Sequence, residues 1–600
     1  MTQQHPAIII LSERGENTAR RLRAALPDAQ IHALTGRAHG DTAFDDIKAH
    51  LSRLFLNHHP IIGVCAAGIL IRTLSSDLHD KWSEPPVIAI SEDGAHVVPL
   101  LGGHHGANDM ATTLATALQG HAAITTSGDV HFGVALDQPP EGYGLQNPLD
   151  TKGFMARVLA GDTIRLDGHA PWLRESRLPF TDDGALSISV TTATVEGTED
   201  HLVYHPKTLV LGMGSERGAP AGDAIALAER ALSHHARSPL SVASIASLDL
   251  KADEAALSAV AQHFAVPFHV FNKETLAVQE THLKNPSKVV KAEVGVAGVA
   301  EGAALAATDG PLIVEKMKSK HATVAISEAS SPEAVKVGRT RGRVFLVGVG
   351  PGDQKWRSAE AVSLLQTASD WVGYDLYLDL IKDLKRDQAE HRFPLGAEEK
   401  RVRHALELAS EGRDVAVVCS GDPGIYAMAT LAYELINTGA AEGPVSGAAK
   451  RVEIIVAPGI SAFQAAAARV GAPIGHDFCC ISLSDLLTPR DDILKRLKAA
   501  AEGDFVVAFY NPRSKRRVTL LDEAFNLLRS HRPIDTPVIL ATDLGRPAEH
   551  VRVMTLETVK SEDVDMLTLV MVGSSHSKAV KTGDGKTWVY TPRGYDRKEI

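Results

Sequence analysis

One pattern occurs three times in this chain and restricts its fold more than any other feature. A short β-branched or Leu-rich run meets a Gly- or Ser-rich turn, and an amphipathic stretch of helical length follows. The copies are AIIILSERG (Ala7 to Gly15), TLVLGMGSERG (Thr208 to Gly218) and RVFLVGVGPGD (Arg343 to Asp353). Each reads as the opening strand of an α/β unit, so each is expected to begin a domain. At about 150 residues per domain, the 600 residues present are consistent with about four domains. The polar segment Ala329 to Arg341 has no apolar period and reads as a linker before the third opening. A Pro- and Gly-rich connector, Gln138 to Asn147, and a polar, β-rich stretch, Leu178 to Gly197, place a small module between the first two openings. The expected division is 1–135, a middle module 136–205, 206–328, a linker 329–341, a domain 342–580 and a tail 581–600. The loop-like stretch Ala440 to Lys450 reads as an insertion within the last domain. The expected fold class is α/β and multidomain.

Composition excludes several classes. An apolar content of 44% allows ordinary cores, so a disordered or fibrous chain is excluded. With 62 Lys and Arg against 73 Asp and Glu, the net charge of −11 argues against gripping a phosphate backbone. Four cysteines (Cys65, Cys419, Cys479, Cys480) build no disulfide scaffold and form no C-x-x-C pair, which fits a reducing cytoplasm. No apolar run approaches the roughly 18 residues of a membrane span. The nearest, Gly295 to Val314, is broken by Glu301, Asp309 and Pro311 and reads as a helix followed by a strand. The apolar run Ala7 to Leu11 is too short for a signal peptide and reads as a buried strand.

The chemistry is most legible after the third opening. Strand Val344 to Val347 leads into Gly348-Val349-Gly350-Pro351-Gly352-Asp353, which is not a Rossmann fingerprint because Pro351 and Asp353 break it. Strand Asp414 to Cys419 leads into Ser420-Gly421-Asp422-Pro423-Gly424-Ile425-Tyr426 and a helix from Ala427 to Ile436. Strand Val452 to Val456 leads into Ala457-Pro458-Gly459-Ile460-Ser461-Ala462 and an Ala-rich helix. Three strand ends therefore direct small residues and backbone N–H groups toward one crevice. Their order and spacing resemble the tetrapyrrole methylase family. WVGYDLY (Trp371 to Tyr377), CSGDPGIYAMA, GAPIGHDFCCISLSDLLTPRDDI, FYNPRSKRR and YTPRGY extend the resemblance, which covers Arg343 to about Ser577.

The resemblance implies an enzyme with two α/β subdomains that uses S-adenosylmethionine to methylate precorrin-3B at C-17, with ring contraction to precorrin-4, in cobalamin biosynthesis. It implies cofactor contacts at Pro351, Ser420, Gly421, Asp422, Ser461, Ala462, Tyr510 and Ala541, and a homodimer through this domain. Asp422 also fits a helix N-cap. Ser461 stands where the family often has Thr, and Lys355-Trp356-Arg357-Ser358 departs from its usual pattern. A polycarboxylate substrate needs a basic rim. Arg513, Lys515, Arg516 and Arg517 are the first candidates, with Arg490 behind them and Arg401 and Arg403 as further ones. A solvated helix start is the competing reading of that run. A ribosomal RNA substrate, possible for related folds, is disfavoured by the charge and by few aromatics.

In the N-terminal half, Val64 to Arg72, Val87 to Ile90, LLGGHHGAND (Leu100 to Asp109) and Ile124 to Thr126 resemble the cobalt-precorrin-5A hydrolase family. Leu209 to Gly214, Val299-Ala300-Glu301 and Thr323 to Ile326 resemble the C-terminal part of the same proteins. This implies a second activity, opening of a ring lactone, with His104 as a candidate acid or base. No metal is expected, because His104 and His105 are adjacent and no H-E-x-x-H occurs. Ser91 stands where the family has Asp. Arg14 and Arg217, in the two Ser-Glu-Arg-Gly turns, are candidates for a carboxylate-binding surface or for helix capping. The alternative is a non-catalytic carrier that hands tetrapyrroles to the methylating half.

Overall fold

The computed structural model describes residues 5–79, 84–125, 131–438, 443–513 and 519–595, with the His104 side chain excepted. The first opening strand, Ala7–Ile10, is buried at every position, as a parallel strand covered on both faces must be. It lies centrally in a seven-stranded sheet, paired in parallel with Gln30–Leu34 and Ile61–Val64. The second opening strand, Leu209–Ser215, pairs in parallel with Val242–Leu248 and antiparallel with Ala322–Glu328 in a five-stranded sheet. Helix Val299–Ala306 packs so closely here that a Cβ on Gly212 would come within 2.0 Å of the Ala300 carbonyl oxygen. That contact requires glycine at this position.

The third opening strand, Arg343–Gly348, sits in an all-parallel five-stranded sheet between Asp414–Cys419 and Glu453–Ala457. The three strands that end in glycine turns are therefore neighbours, which is why the turns meet. A second five-stranded sheet follows, in the order Phe478–Ser482, Val506–Tyr510, Thr568–Val572, Pro537–Thr542, His550–Thr555. Its core includes Phe509 and Phe525, both fully buried.

Three expected boundaries are corrected. The middle module, a four-stranded sheet of Tyr143–Leu145, His201–Pro206, Leu186–Val190 and Ile164–Asp167, draws Phe132, Val134 and Leu136 into its core, so it begins before 136. The segment 329–341 is no free linker. Arg339 exchanges two backbone hydrogen bonds with Val270, and the Lys336 amide donates to the Ala307 carbonyl. The boundary at 580 cuts a hairpin, because Lys578–Lys581 pairs with Thr587–Tyr590, and the latter pairs with Gly471–Ala472. Val589 is fully buried there, so the chain up to Thr591 completes the last domain.

Candidate active site

The three glycine turns pack backbone against backbone. Gly421 and Gly350 exchange hydrogen bonds of 2.8 and 3.3 Å. A Cβ on Gly459 would lie 2.0 Å from the Gly421 carbonyl oxygen, and one on Gly348 would lie 2.7 Å from it. Asp422 joins two of the turns, accepting from the Gly424 amide at 2.8 Å and the Gly459 amide at 3.2 Å. It is not the helix cap, because the helix begins at Met428 with Ala427 at its N-cap. Across the crevice the Tyr510 hydroxyl accepts from the Phe463 amide at 3.4 Å and so touches the helix Ala462–Val470. The Tyr426 hydroxyl donates to the Cys480 carbonyl at 2.9 Å. The Tyr426 bond ties one subdomain to the other, whereas the Tyr510 bond anchors a helix that packs on the sheet Tyr510 belongs to.

The turns form one wall of a cleft of about 390 Å³ between the two subdomains, which is within the usual range for small-molecule sites. Three of its non-glycine lining residues, Tyr426, Asn511 and Asp543, hold left-handed backbone with φ of 51°, 48° and 49°. Such conformations persist where surrounding structure enforces them, and they concentrate at functional sites. Burial raises the pKa of four weak acids on the lining: Tyr377, Tyr426, Tyr510 and Cys419, the last pushed up to about 12. All four stay protonated at neutral pH. They can donate hydrogen bonds and shape the space, but none is poised as a nucleophile.

The strand ends of the N-terminal half are organised differently. Ser12 donates to Glu92 at 2.9 Å, and Thr18 donates to the Glu92 carbonyl at 2.6 Å. Ser91 donates to Asp93 at 2.6 Å and accepts from the His96 amide. Arg217 donates to Asp253 at 2.7 Å and to the Leu250 carbonyl at 3.1 Å. The buried Glu301 accepts from the amides of Lys284, Asn285 and Lys316 and from the Asn285 side chain, at 2.9 to 3.0 Å. Burial works to raise its pKa, yet these donors together hold it below the usual carboxylate range.

Residues 343–560 match the family model for Tetrapyrrole (Corrin/Porphyrin) Methylases. Over 254 residues the chain is 43% identical to a precorrin-3B C(17)-methyltransferase of Sinorhizobium sp., a stretch covering 42% of this chain and 97% of that protein. The chain belongs to the tetrapyrrole methylases. It is also 42% identical over 250 residues to a probable cobalt-factor III C(17)-methyltransferase of Salmonella typhimurium, covering 42% of this chain and 98% of that protein. The crystal structure of the methyltransferase CobJ matches with 39% identity over 42% of this chain and all of that one, at a TM-score of 0.38. Ahead of the methylase domain, residues 49–129 match the family model Cobalamin synthesis G N-terminal, and 209–327 match Cobalamin synthesis G C-terminus. This methylase thus carries a cobalamin synthesis G-like half at its N-terminal side.

The methylase cleft brings together all eight residues expected at the cofactor: Pro351, Ser420, Gly421, Asp422, Ser461, Ala462, Tyr510 and Ala541. Arg513 is absent from the described lining and donates to the Ser561 carbonyl at 2.7 Å, while Lys515, Arg516 and Arg517 lie outside the described residues. Arg490 pairs with Glu523. Arg403 pairs with Glu399 at 2.9 Å. Among the described residues the cations on the lining are Arg401 and Arg546, and no motif marks Arg546 in the sequence. Asn511 and Asp543 were also missed, although both follow strand ends and belong to the residue types that tolerate left-handed backbone. The departure Trp356-Arg357-Ser358 serves structure. Arg469 stacks on Trp356 at 4.3 Å, Arg357 pairs with Asp383 at 2.7 Å, and Ser358 caps helix Ala359–Thr367. In the other half, Arg217 is held by local partners and Arg14 is exposed. His104 lies in the turn Gly103–His105, with its side chain outside the described residues.

Proposed function

We propose that this methylase transfers the methyl group of S-adenosylmethionine to C-17 of precorrin-3B or of its cobalt-bearing counterpart, with ring contraction, in cobalamin biosynthesis. The observation that carries this reading is the convergence of eight expected cofactor residues on one cleft, built from turns too tight for any side chain at Gly459. Such a cradle fits a ligand gripped by backbone groups at close range. S-adenosylmethionine supplies an activated methyl group on a sulfonium centre. The protein's part is then to hold donor and ring carbon in line, exclude water and offer hydrogen-bond donors, which is what protonated phenols and glycine turns can do. No strong base is required beside the reacting carbon, in keeping with four weak acids held protonated on the lining. The test is incubation of the full chain with precorrin-3B and methyl-labelled S-adenosylmethionine. Mass spectrometry should show one added methyl group, and a product mass equal to that of the substrate would overturn the reading.

We infer a second activity for the N-terminal half, the opening of the cobalt-precorrin-5A ring lactone with release of acetaldehyde. Its support is the pair of family matches at 49–129 and 209–327. The halves are packed together, with Arg451 donating to the Asp249 carbonyl at 3.2 Å, so labile intermediates would find both sites at high effective concentration. Acetaldehyde release by the full chain, reduced in His104→Ala, is the expected result. Binding without release would make this half a carrier.

A further inference from the structure

Two arginines line the cleft with positive charge that the protein leaves uncompensated or only loosely paired. Arg401 stands in the first turn of helix Glu398–Ser410 and is 2% exposed. Its Nη2 donates to the Pro394 carbonyl at 3.2 Å, its Nη1 faces the Met428 sulfur at 3.9 Å, and its Nε is buried without a partner. Among the described residues no carboxylate pairs with it. Arg546 follows strand Pro537–Thr542 in the other subdomain. Its Nη1 lies 3.4 Å from Asp543, and its Nε is likewise buried without a partner. A Cβ on Gly352 would come within 2.9 Å of Arg546 Cγ, so this side chain lies against the first glycine turn.

The carboxylates nearby are engaged elsewhere. Asp422 holds the Gly424 and Gly459 amides, and Glu398 accepts from the Gly396 amide at 3.1 Å. A buried guanidinium without a counter-charge is costly unless an anion completes the site. Both arginines also act on the half-buried Tyr377 hydroxyl, which lines the same cleft and can add a donor. Arg401 and Arg546 are the only cations on the described lining. Among the described residues, a ligand bearing many carboxylates meets no other positive charge on that lining.

We propose that Arg401 and Arg546 clamp a carboxylate side chain of the tetrapyrrole from two sides and so set which edge of the macrocycle faces the methyl donor. The proposal rests on the reading that the cleft binds a tetrapyrrole. The same carboxylate chemistry is available from the amino-acid end of S-adenosylmethionine, and the experiment separates the two sources.

Arg401→Gln, Arg546→Gln and Arg401→Lys are made in the full chain. Each is titrated with uroporphyrin III, an octacarboxylate tetrapyrrole, by fluorescence, and with S-adenosylhomocysteine by calorimetry, with melting temperatures recorded alongside. Each Gln variant should weaken uroporphyrin III binding about tenfold or more while leaving S-adenosylhomocysteine within about twofold. Arg401→Lys should recover part of the loss, because it keeps the charge and loses the planar fork. A fall in S-adenosylhomocysteine affinity alone would overturn the proposal and assign the clamp to the cofactor. A lower melting temperature with both affinities unchanged would also overturn it and make the arginines structural, as would wild-type protein that binds no uroporphyrin III. Loss of uroporphyrin III binding in the variants, in a wild type that does not methylate precorrin-3B, would leave the clamp standing and remove the functional reading.

Discussion

The turn after Leu209–Ser215 and the turn after Arg343–Gly348 follow similar strands, yet they do opposite things with their polar groups. In the first, Arg217 is held by Asp253 and the Leu250 carbonyl, and the Gly218 amide donates to Glu254 at 2.8 Å. In the second, the neighbouring strands also end in glycine turns, and the three backbones brace one another along the edge of a cleft. A strand-turn-helix opening is therefore a scaffold element, and it becomes a site only where adjacent strands present matching turns.

Glycine replacement should separate the two cases most strongly. Gly459→Ala places a Cβ 2.0 Å from the Gly421 carbonyl oxygen, backbone against backbone. It should cost about 3 kcal/mol or more and abolish measurable S-adenosylhomocysteine binding, checked by calorimetry and thermal melting. Near-normal binding would break the comparison. A pH effect of similar size is expected from the N-terminal half. Buried His32 and His50 are 2.9 Å apart, and Arg53 donates to His50 Nδ1, so the His50 Nε2–H donates to His32. Burial and then the neighbouring His50 lower the His32 pKa to about 4 from 6.5. The folded state therefore resists a proton that the unfolded chain accepts. Stability is full above pH 6.5 and falls as pH drops toward 4, by about 3 kcal/mol over that range. Calorimetric scans should show a transition moving down with acid, and His32→Gln should flatten that slope while leaving S-adenosylhomocysteine affinity unchanged.

Asp422→Ala removes the acceptor of two turn amides and should weaken S-adenosylhomocysteine binding by about 1 to 3 kcal/mol. A lower melting temperature with normal affinity would limit Asp422 to bracing the turns. The smallest effect is expected at Gly218→Ala, where φ is +73° and no atom lies within 4 Å of the added Cβ. Only backbone strain of about 1 kcal/mol should appear in the melt, with no change in cofactor affinity.

Individual contacts were legible only where they are local. Ser358, three residues before the Ala361 amide it accepts from, sits where a cap is expected. Asp422 was open between cap and contact because its second partner, the Gly459 amide, is 37 residues away. Arg513 lies in a run that reads as a basic rim, but its bond goes to Ser561, 48 residues on. Arg401 and Arg546 become a pair only when the two subdomains face each other.

The sequence by itself determined the three domain openings, the parallel α/β character and the glycine turns, because strand runs, turn residues and helical periods are properties of neighbouring residues. Membership of the methylases was also legible in consecutive motifs. Tertiary structure decided that the three glycine-ended strands are adjacent, that 329–341 is pinned to a sheet edge, and that the last hairpin closes onto Gly471–Ala472. It decided as well which cations reach the cleft. Those outcomes depend on strand order and on the packing of one subdomain against another, and such long-range contacts leave no periodic trace in the chain.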